Sequence, residues 1–442
     1  MFASHLNKCR SGGTGRRARL KLVYASVWVR VPPSVRKASF GMLFVFSLYL
    51  TQSVLNFRVM IIISLCVLLL FAYVFDLTSS KTKIPSVILL LLLGSAARYT
   101  ATYFEWQVPN LFPLLPVFGT VGLILIVLEG TLDLKLNKTK LPIIKKSFLV
   151  AFIPIVLLGV FLALLFHYIG NFSFKQSLAN AIPLCVISSS IAIPSARNMN
   201  ENNREFIIYE SSLSDILGVL FFNFIALNEI INGVSVLHFI FEVIVICLIS
   251  FVATGILSVL LNRIEHHVKF IPIMILVILI YAISKEYHLP ALIFILIFGL
   301  FLSNLQEIKK IKGLGTLNTE KLEIEVVRFH ELVAEATFLI RALFFLLFGY
   351  LIQLEELLNQ QTLVLTLIII AAILLIRWIV LKLFSIPLNP LLFIAPRGLI
   401  TILLFLSLPA SQNISIVNNS LMTQIVVISA LIMMIGLFFQ NN

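Results

Sequence analysis

"YESSLSDILGVLFFNF", Tyr209 to Phe224, decides how the chain is read. It sets Glu210, Ser211, Ser214 and Asp215 directly before a run of Ile, Leu, Val and Phe. Charged side chains are costly in hydrocarbon, and inside a membrane span they mark functional sites. The surrounding sequence puts the stretch in such a span. The chain of 442 residues is 60% hydrophobic and only 12% charged, with a mean hydropathy of +1.06. Soluble domains carry about 25% charged residues. Apolar runs of roughly 15 to 20 residues recur from Val59 onward, near the length a helix needs to cross a bilayer. The sequence therefore predicts an all-α, polytopic membrane protein.

Cys9, Cys66, Cys185 and Cys247 lie far apart, so neither a disulfide framework nor a zinc site is indicated. No HExxH occurs, and His266-His267 sits in a polar loop as an ordinary solvated pair. No cofactor is expected. The net charge of +13 is concentrated at the start: residues 1–41 hold nine Lys/Arg and no acid, leaving the rest near neutrality. This segment lacks the apolar core of a signal peptide. It could serve as a basic arm for nucleic acid or anionic lipid. The words "GGTGRRARLK" and "VWVRVPPS" instead resemble translation through a leucine transfer-RNA gene. The favoured expectation is therefore that residues 1–41 lie outside the fold, that translation starts at Met42 or Met60, that the transmembrane domain is 42–442, and that no nucleic acid is bound.

Thirteen spans are predicted. The first six are Val59–Phe75, Ile84–Ala97, Phe112–Leu132, Ser147–His167, Gln176–Ile193 and Phe206–Leu227. A linking span follows at Val236–Leu261, then six more: Phe270–Ile283, Ala291–Leu302, Ala336–Ile352, Thr362–Leu383, Leu391–Leu408 and Leu421–Phe439. Numbered by the span they follow, the odd loops carry 17 Lys/Arg, among them Lys135, Lys140, Arg197 and Arg204; the even loops carry Arg98, Lys175 and Lys285. The positive-inside rule places the odd loops and the C-terminus in the cytoplasm of a plasma-membrane protein.

Three cations fall inside spans, Arg341, Arg377 and Arg397, and few acids do: Glu129, Glu210 and Asp215, with Glu242 and Glu335 nearer span ends. Glu210, Arg341 and Arg377 read equally well as structural ion pairs or as parts of an ion pathway. Asp215 points to a site, because Ser211 lies one turn away on the same helical face and Ser214 adjoins it. Carboxylate and hydroxyl oxygens suit a hard cation. Glu210 lies about 140° round the helix and faces another partner. A carboxylate among apolar groups holds either a proton or a cation, and such competition in a two-state protein suffices for antiport.

Two further spans carry helix breakers. "SSSIAIPSARN" brings Ser188, Ser189, Ser190 and Pro194 into the fifth, and "IAPRGLITILL" brings Pro396, Arg397 and Gly398 into the twelfth. Interruptions at equivalent places in spans 1–6 (about 59–227) and 8–13 (about 270–439) predict two inverted six-helix repeats whose broken helices cross near the midplane.

These residues resemble the cation:proton antiporter superfamily, in particular its sodium/proton exchanger branch. Its sixth-span E-S-x-x-N-D motif is similar to Glu210-Ser211-Ser212-Leu213-Ser214-Asp215, which implies that Asp215 binds ion and proton with Ser211 as ligand. "LEGTLDL" is similar to its third-span E-G-x-x-L stretch and implies that Glu129 lies near the site. "LLIRWIVLKLF" supplies Arg377 as the implied partner of Glu210, and "APRGLIT" supplies Arg397 in the broken twelfth span. The family pattern gives Arg341, in "FLIRALFFLLFGYLI", no role. Two positions depart from the family. Ser214 replaces an Asn, and Ser188-Ser189-Ser190 replaces T-D-P, so the fifth-span acid is absent. The resemblance implies a non-enzymatic homodimeric transporter exchanging Na⁺ (or K⁺, or Li⁺) for H⁺. A K⁺/H⁺ exchanger and a cation channel or efflux protein on the same scaffold are the competing readings. With Asp215 alone among the motif carboxylates, electroneutral exchange is expected.

Overall fold

The computed structural model describes residues 19–21, 28–30 and 62–438, apart from 80, 81, 83, 107, 136–139, 198, 229–232, 265, 267, 288 and 306–318. Met42 and Met60 lie outside the described residues. The chain divides into two units, Met1–Val67 and Leu68–Asn442. In the first, β1 (Arg19–Lys21) pairs antiparallel with β2 (Trp28–Arg30).

The rest is helical. In order come α1 (Ile62–Ser79), α2 (Ser86–Tyr103), α3 (Leu114–Leu132), α4 (Leu141–Gly170), α5 (Phe174–Cys185), α6 (Ser189–Ser195) and α7 (Glu201–Leu227). Then follow α8 (Gly233–Arg263), α9 (Phe270–Glu286), α10 (Leu292–Ser303), α11 (Thr319–Leu351), α12 (Leu354–Leu357), α13 (Gln360–Leu383), α14 (Leu399–Leu406) and α15 (Asn419–Phe438). Among the described residues nine helical segments are long and apolar enough to cross a membrane, with α5 and α6 taken together. The other four of the thirteen expected spans are α7, which carries the polar motif, and the short α9, α10 and α14.

Most boundaries extend beyond the apolar runs because amphipathic turns continue the helices past the hydrocarbon. Thus α11 begins at Thr319, well before the expected Ala336. The twelfth span needs a correction. Its first half is not helical: residues 389–393 form turns, 394–398 are irregular, and helix begins only at Leu399. Pro387, Pro390 and Pro396 explain this, since each lacks an N–H and disfavours helical backbone in the residue before it.

Two helix groups emerge from the packing. In one, α11 packs on α2 and α3, α3 on α10, and α10 on α8. In the other, α4 packs on α5, α7 and α13, and α13 on α15. The seam between α2 and α11 is set by small residues. A Cβ on Gly94 would lie 2.2 Å from the Leu346 carbonyl, and one on Gly349 2.4 Å from that of Leu91. Such close backbone approach is how helices associate where lipid removes the hydrophobic drive. Arg98 of α2 then donates to the carbonyls of Leu351, the last residue of α11, and Ile352, just past it, at 3.2 and 3.3 Å. Large apolar side chains such as Leu237, Leu248 and Phe251 of α8 point outward, as a lipid-facing surface requires.

Candidate functional site

The fifth span breaks between α5 and α6, where residues 186–188 are extended. A broken helix in a membrane must give its freed peptide groups new partners. Here three consecutive N–H groups find them on other elements. Ile187 N–H donates to Ser214 Oγ at 2.9 Å, Ser188 N–H to the Pro396 carbonyl at 2.9 Å, and Ser189 N–H to Asp215 Oδ2 at 3.3 Å. The Ser189 hydroxyl donates to the same Oδ2. On the other side of the break, Arg397 Nε donates to the Leu184 carbonyl at 2.7 Å, setting a cation at the C-terminal end of α5, where the helix dipole favours one. Arg397 also donates Nη1–H to Ala395, and its own N–H to Ser429 Oγ.

Asp215 is therefore buried with one oxygen fixed. Its Oδ1 has no hydrogen-bond partner among the described residues, nor does the hydroxyl of Ser212 one turn before it. At i−3, Ser212 shares the Asp215 face as Ser211 does at i−4. The sequence reading passed over Ser212, although the same spacing rule would have found it. Ser211 donates back to the Ile207 carbonyl at 2.7 Å, leaving its lone pairs as acceptors. Ser188 and Ser190 bond each other at 2.8 Å. Pro194 lies within α6, near its end.

Glu210 and Arg377 meet in a bidentate pair, with Nη1–Oε1 at 2.5 Å and Nη2–Oε2 at 3.0 Å, and Arg377 Nε donates to the Leu391 carbonyl at 2.8 Å. Both side chains are buried. The pair ties α7 to α13 and to the turn that opens the twelfth span, on a different side of α7 from Asp215.

α3 crosses α7 beside the motif, since a Cβ on Gly130 would lie 2.9 Å from Ser212 Oγ. Its neighbour Glu129 interacts with Arg341 and Thr337 of α11 and with Arg197. Arg341, to which the sequence assigned no role, reaches Asp76 of α1 at 3.4 Å and the Ser190 carbonyl at 3.5 Å.

Two cavities run along the Asp215 face of α7. One, of about 640 Å³, is lined by Val219, Phe222, Asn223 and Ala226, with Thr120 and Ile124 of α3. The other, of about 460 Å³, lies at the opposite, basic end among Asp133, Lys140, Arg204, Glu205, Ile208 and Tyr209. Lys140 pairs there with Glu205. Burial pushes the Asp133 carboxyl up, opposed by His330 at 3.4 Å. Along the helix Val219 is about 6 Å from Asp215 and Ile208 about 10 Å. The wall of the second cavity nearest Asp215 is apolar, a cluster of Leu134, Ile208 and Tyr209 packed by Ile193 and Leu300.

The transmembrane sodium/hydrogen exchanger family profile matches residues 61–440. No curated protein matches the sequence. The fold is similar to a structure of the sodium proton antiporter MjNhaP1 from Methanocaldococcus jannaschii at pH 8, with 18% identity, TM-score 0.63, and coverage of 87% of this chain and 99% of that one. An electron-microscopy structure of the same antiporter matches with 18% identity and TM-score 0.59, covering 86% of this chain and 93% of that one.

Proposed function

We propose that this chain, which belongs to the sodium/hydrogen exchanger family, exchanges a monovalent cation, Na⁺ first, for H⁺ by competition at Asp215. The observation that carries this reading is the asymmetry of the Asp215 carboxylate. One oxygen is held by Ser189 while the other has no partner among the described residues, within a seam where both broken spans meet. A proton on Asp215 removes the buried charge and makes that oxygen a donor; a cation there recruits the nearby hydroxyls of Ser211 and Ser212. Ser214 supports the site from behind by capping the Ile187 N–H.

The cavities favour exchange over a continuous pore. The larger one comes within one helical turn of Asp215, whereas the one at the basic face ends about two turns away, at the apolar wall of Leu134, Ile208 and Tyr209. Access from one side at a time is what coupled exchange needs, and a channel would join both cavities. The basic face is taken as cytoplasmic from its Lys/Arg loops. Purified protein in proteoliposomes tests the reading. A proton gradient should drive uptake of Na⁺, with K⁺ and Li⁺ compared in parallel, and cation flux should stop without a counter-moving proton. Conductive cation flux independent of protons would reject exchange.

A further inference from the structure

Asp76, at the end of α1, was outside the set of intramembrane acids read from the sequence, yet it sits where the two helix groups meet. α1 belongs to the first group: Tyr73 packs edge-on against Phe338 of α11, and Asp76 Oδ1 accepts from Ser86 Oγ of α2 at 3.4 Å. The same Oδ1 lies 3.4 Å from Arg341 Nη2 of α11. Its Oδ2 lies 3.3 Å from Nη1 of Arg197, which follows α6; α6 packs mainly on α7 and so goes with the second group. Arg341 also crosses the seam, with Nη1 3.5 Å from the Ser190 carbonyl in the first turn of α6. The carboxylate thus stands between two guanidiniums contributed by the two groups.

We infer that Asp76 is a positioning residue for exchange, the centre of a clasp that closes the basic face over Asp215 and parts during each cycle. The inference rests on the exchange reading above. Three observations carry it. First, the contacts are loose, at 3.3–3.5 Å where tight charge-assisted bonds are about 2.7–2.9 Å. Second, Arg197 is 52% exposed, so water can take over its charge when it leaves, while the Asp76–Arg341 pair stays within the first group. Third, the clasp acts on the site through Ser190, which adjoins the Ser189 that donates to Asp215. Glu129 interacts with both guanidiniums as well, but only Asp76 forms an ion pair with each of them, so its loss removes both pairs that hold the seam.

The test uses the full chain in everted vesicles, with its four cysteines replaced and Ala196→Cys as reporter. Ala196 is fully buried and precedes Arg197. A membrane-impermeant maleimide added at the basic face should label this cysteine about fivefold faster or more in Asp76→Asn than in the parent. Asp76→Glu should return the rate to the parental one. Hydrogen exchange of residues 186–197, measured by mass spectrometry on the chain without the reporter, should rise in Asp76→Asn as well. Unchanged labelling together with unchanged hydrogen exchange would overturn the clasp. Should Asp76→Asn fail to insert, Arg197→Gln, at a half-exposed position, must itself accelerate labelling, and parental labelling there would overturn the clasp. Cation-driven proton movement in the parental vesicles is read separately. Its absence would count against exchange, whereas labelling decides the clasp.

Discussion

The Ser188 N–H donates to the Pro396 carbonyl at 2.9 Å, so the break in the fifth span and the irregular start of the twelfth are bonded to each other. The crossing leaves no room for a side chain at the next glycine. A Cβ on Gly398 would lie 2.7 Å from both Ser188 Oγ and Ile191 Cδ1. Gly398→Ala is therefore expected to push the breaks apart and displace Ser189 from Asp215. Exchange should fall by on the order of tenfold to a hundredfold, because small misplacements at a reacting centre are that costly. Initial rates in proteoliposomes, normalised to inserted protein, check this. Parental rates would mean that the crossing tolerates the shift.

Asp215→Asn keeps the shape of the side chain and removes its charge. Exchange should drop to background while the protein inserts and stays folded. In the parent, lowering the pH should raise the apparent KM for the cation, up to about tenfold per pH unit once the proton form dominates, since proton and cation compete for one carboxylate. Cation-induced dequenching of a pH dye in everted vesicles measures both. Exchange retained by Asp215→Asn would remove the carboxylate from the mechanism.

Exchange is expected to be electroneutral, one cation for one proton. More than one proton per cycle needs two titrating groups at the site, and here positions 189 and 214 are serines. Glu210 is held by Arg377, whose guanidinium keeps its proton throughout. In proteoliposomes with an imposed membrane potential and no pH gradient, cation uptake should be absent, and rates should not change when valinomycin clamps the potential. Clear acceleration by inside-negative potential would make Glu129, beside the α3–α7 crossing, the next residue to mutate.

The Glu210–Arg377 pair should behave as a buried ion pair. Glu210→Gln leaves a buried guanidinium without its carboxylate and should cost about 3–5 kcal/mol of stability. The double variant Glu210→Gln with Arg377→Met should lose less than the single one. Thermal unfolding in detergent gives both values. A double variant as unstable as the sum of the two single ones would show that the residues do not stabilise one another.

Sequence reading located most of the parts. Transfer of apolar side chains into hydrocarbon is a local, additive quantity, so the apolar runs by themselves marked most of the helices. Helical period is equally local. It put Ser211 and Asp215 on one face of α7 and Glu210 on another, and the structure shows Glu210 turned away toward Arg377. Three prolines explain the loss of helix at 389–398, but nothing local shows how far such a break extends.

Which group answers which was decided only by the tertiary structure. Ser214 has a ligand-like position in the motif, and its hydroxyl caps the Ile187 N–H of another span. Arg341 had no role until α1 brought Asp76 to it, and Asp76 had read as a loop residue just past an apolar run. Hydrocarbon forces every span to form and every freed peptide group to find a partner, which is a demand on each segment by itself. The identity of the partner depends on how two helix groups pack across a seam, and no short stretch of sequence carries that information.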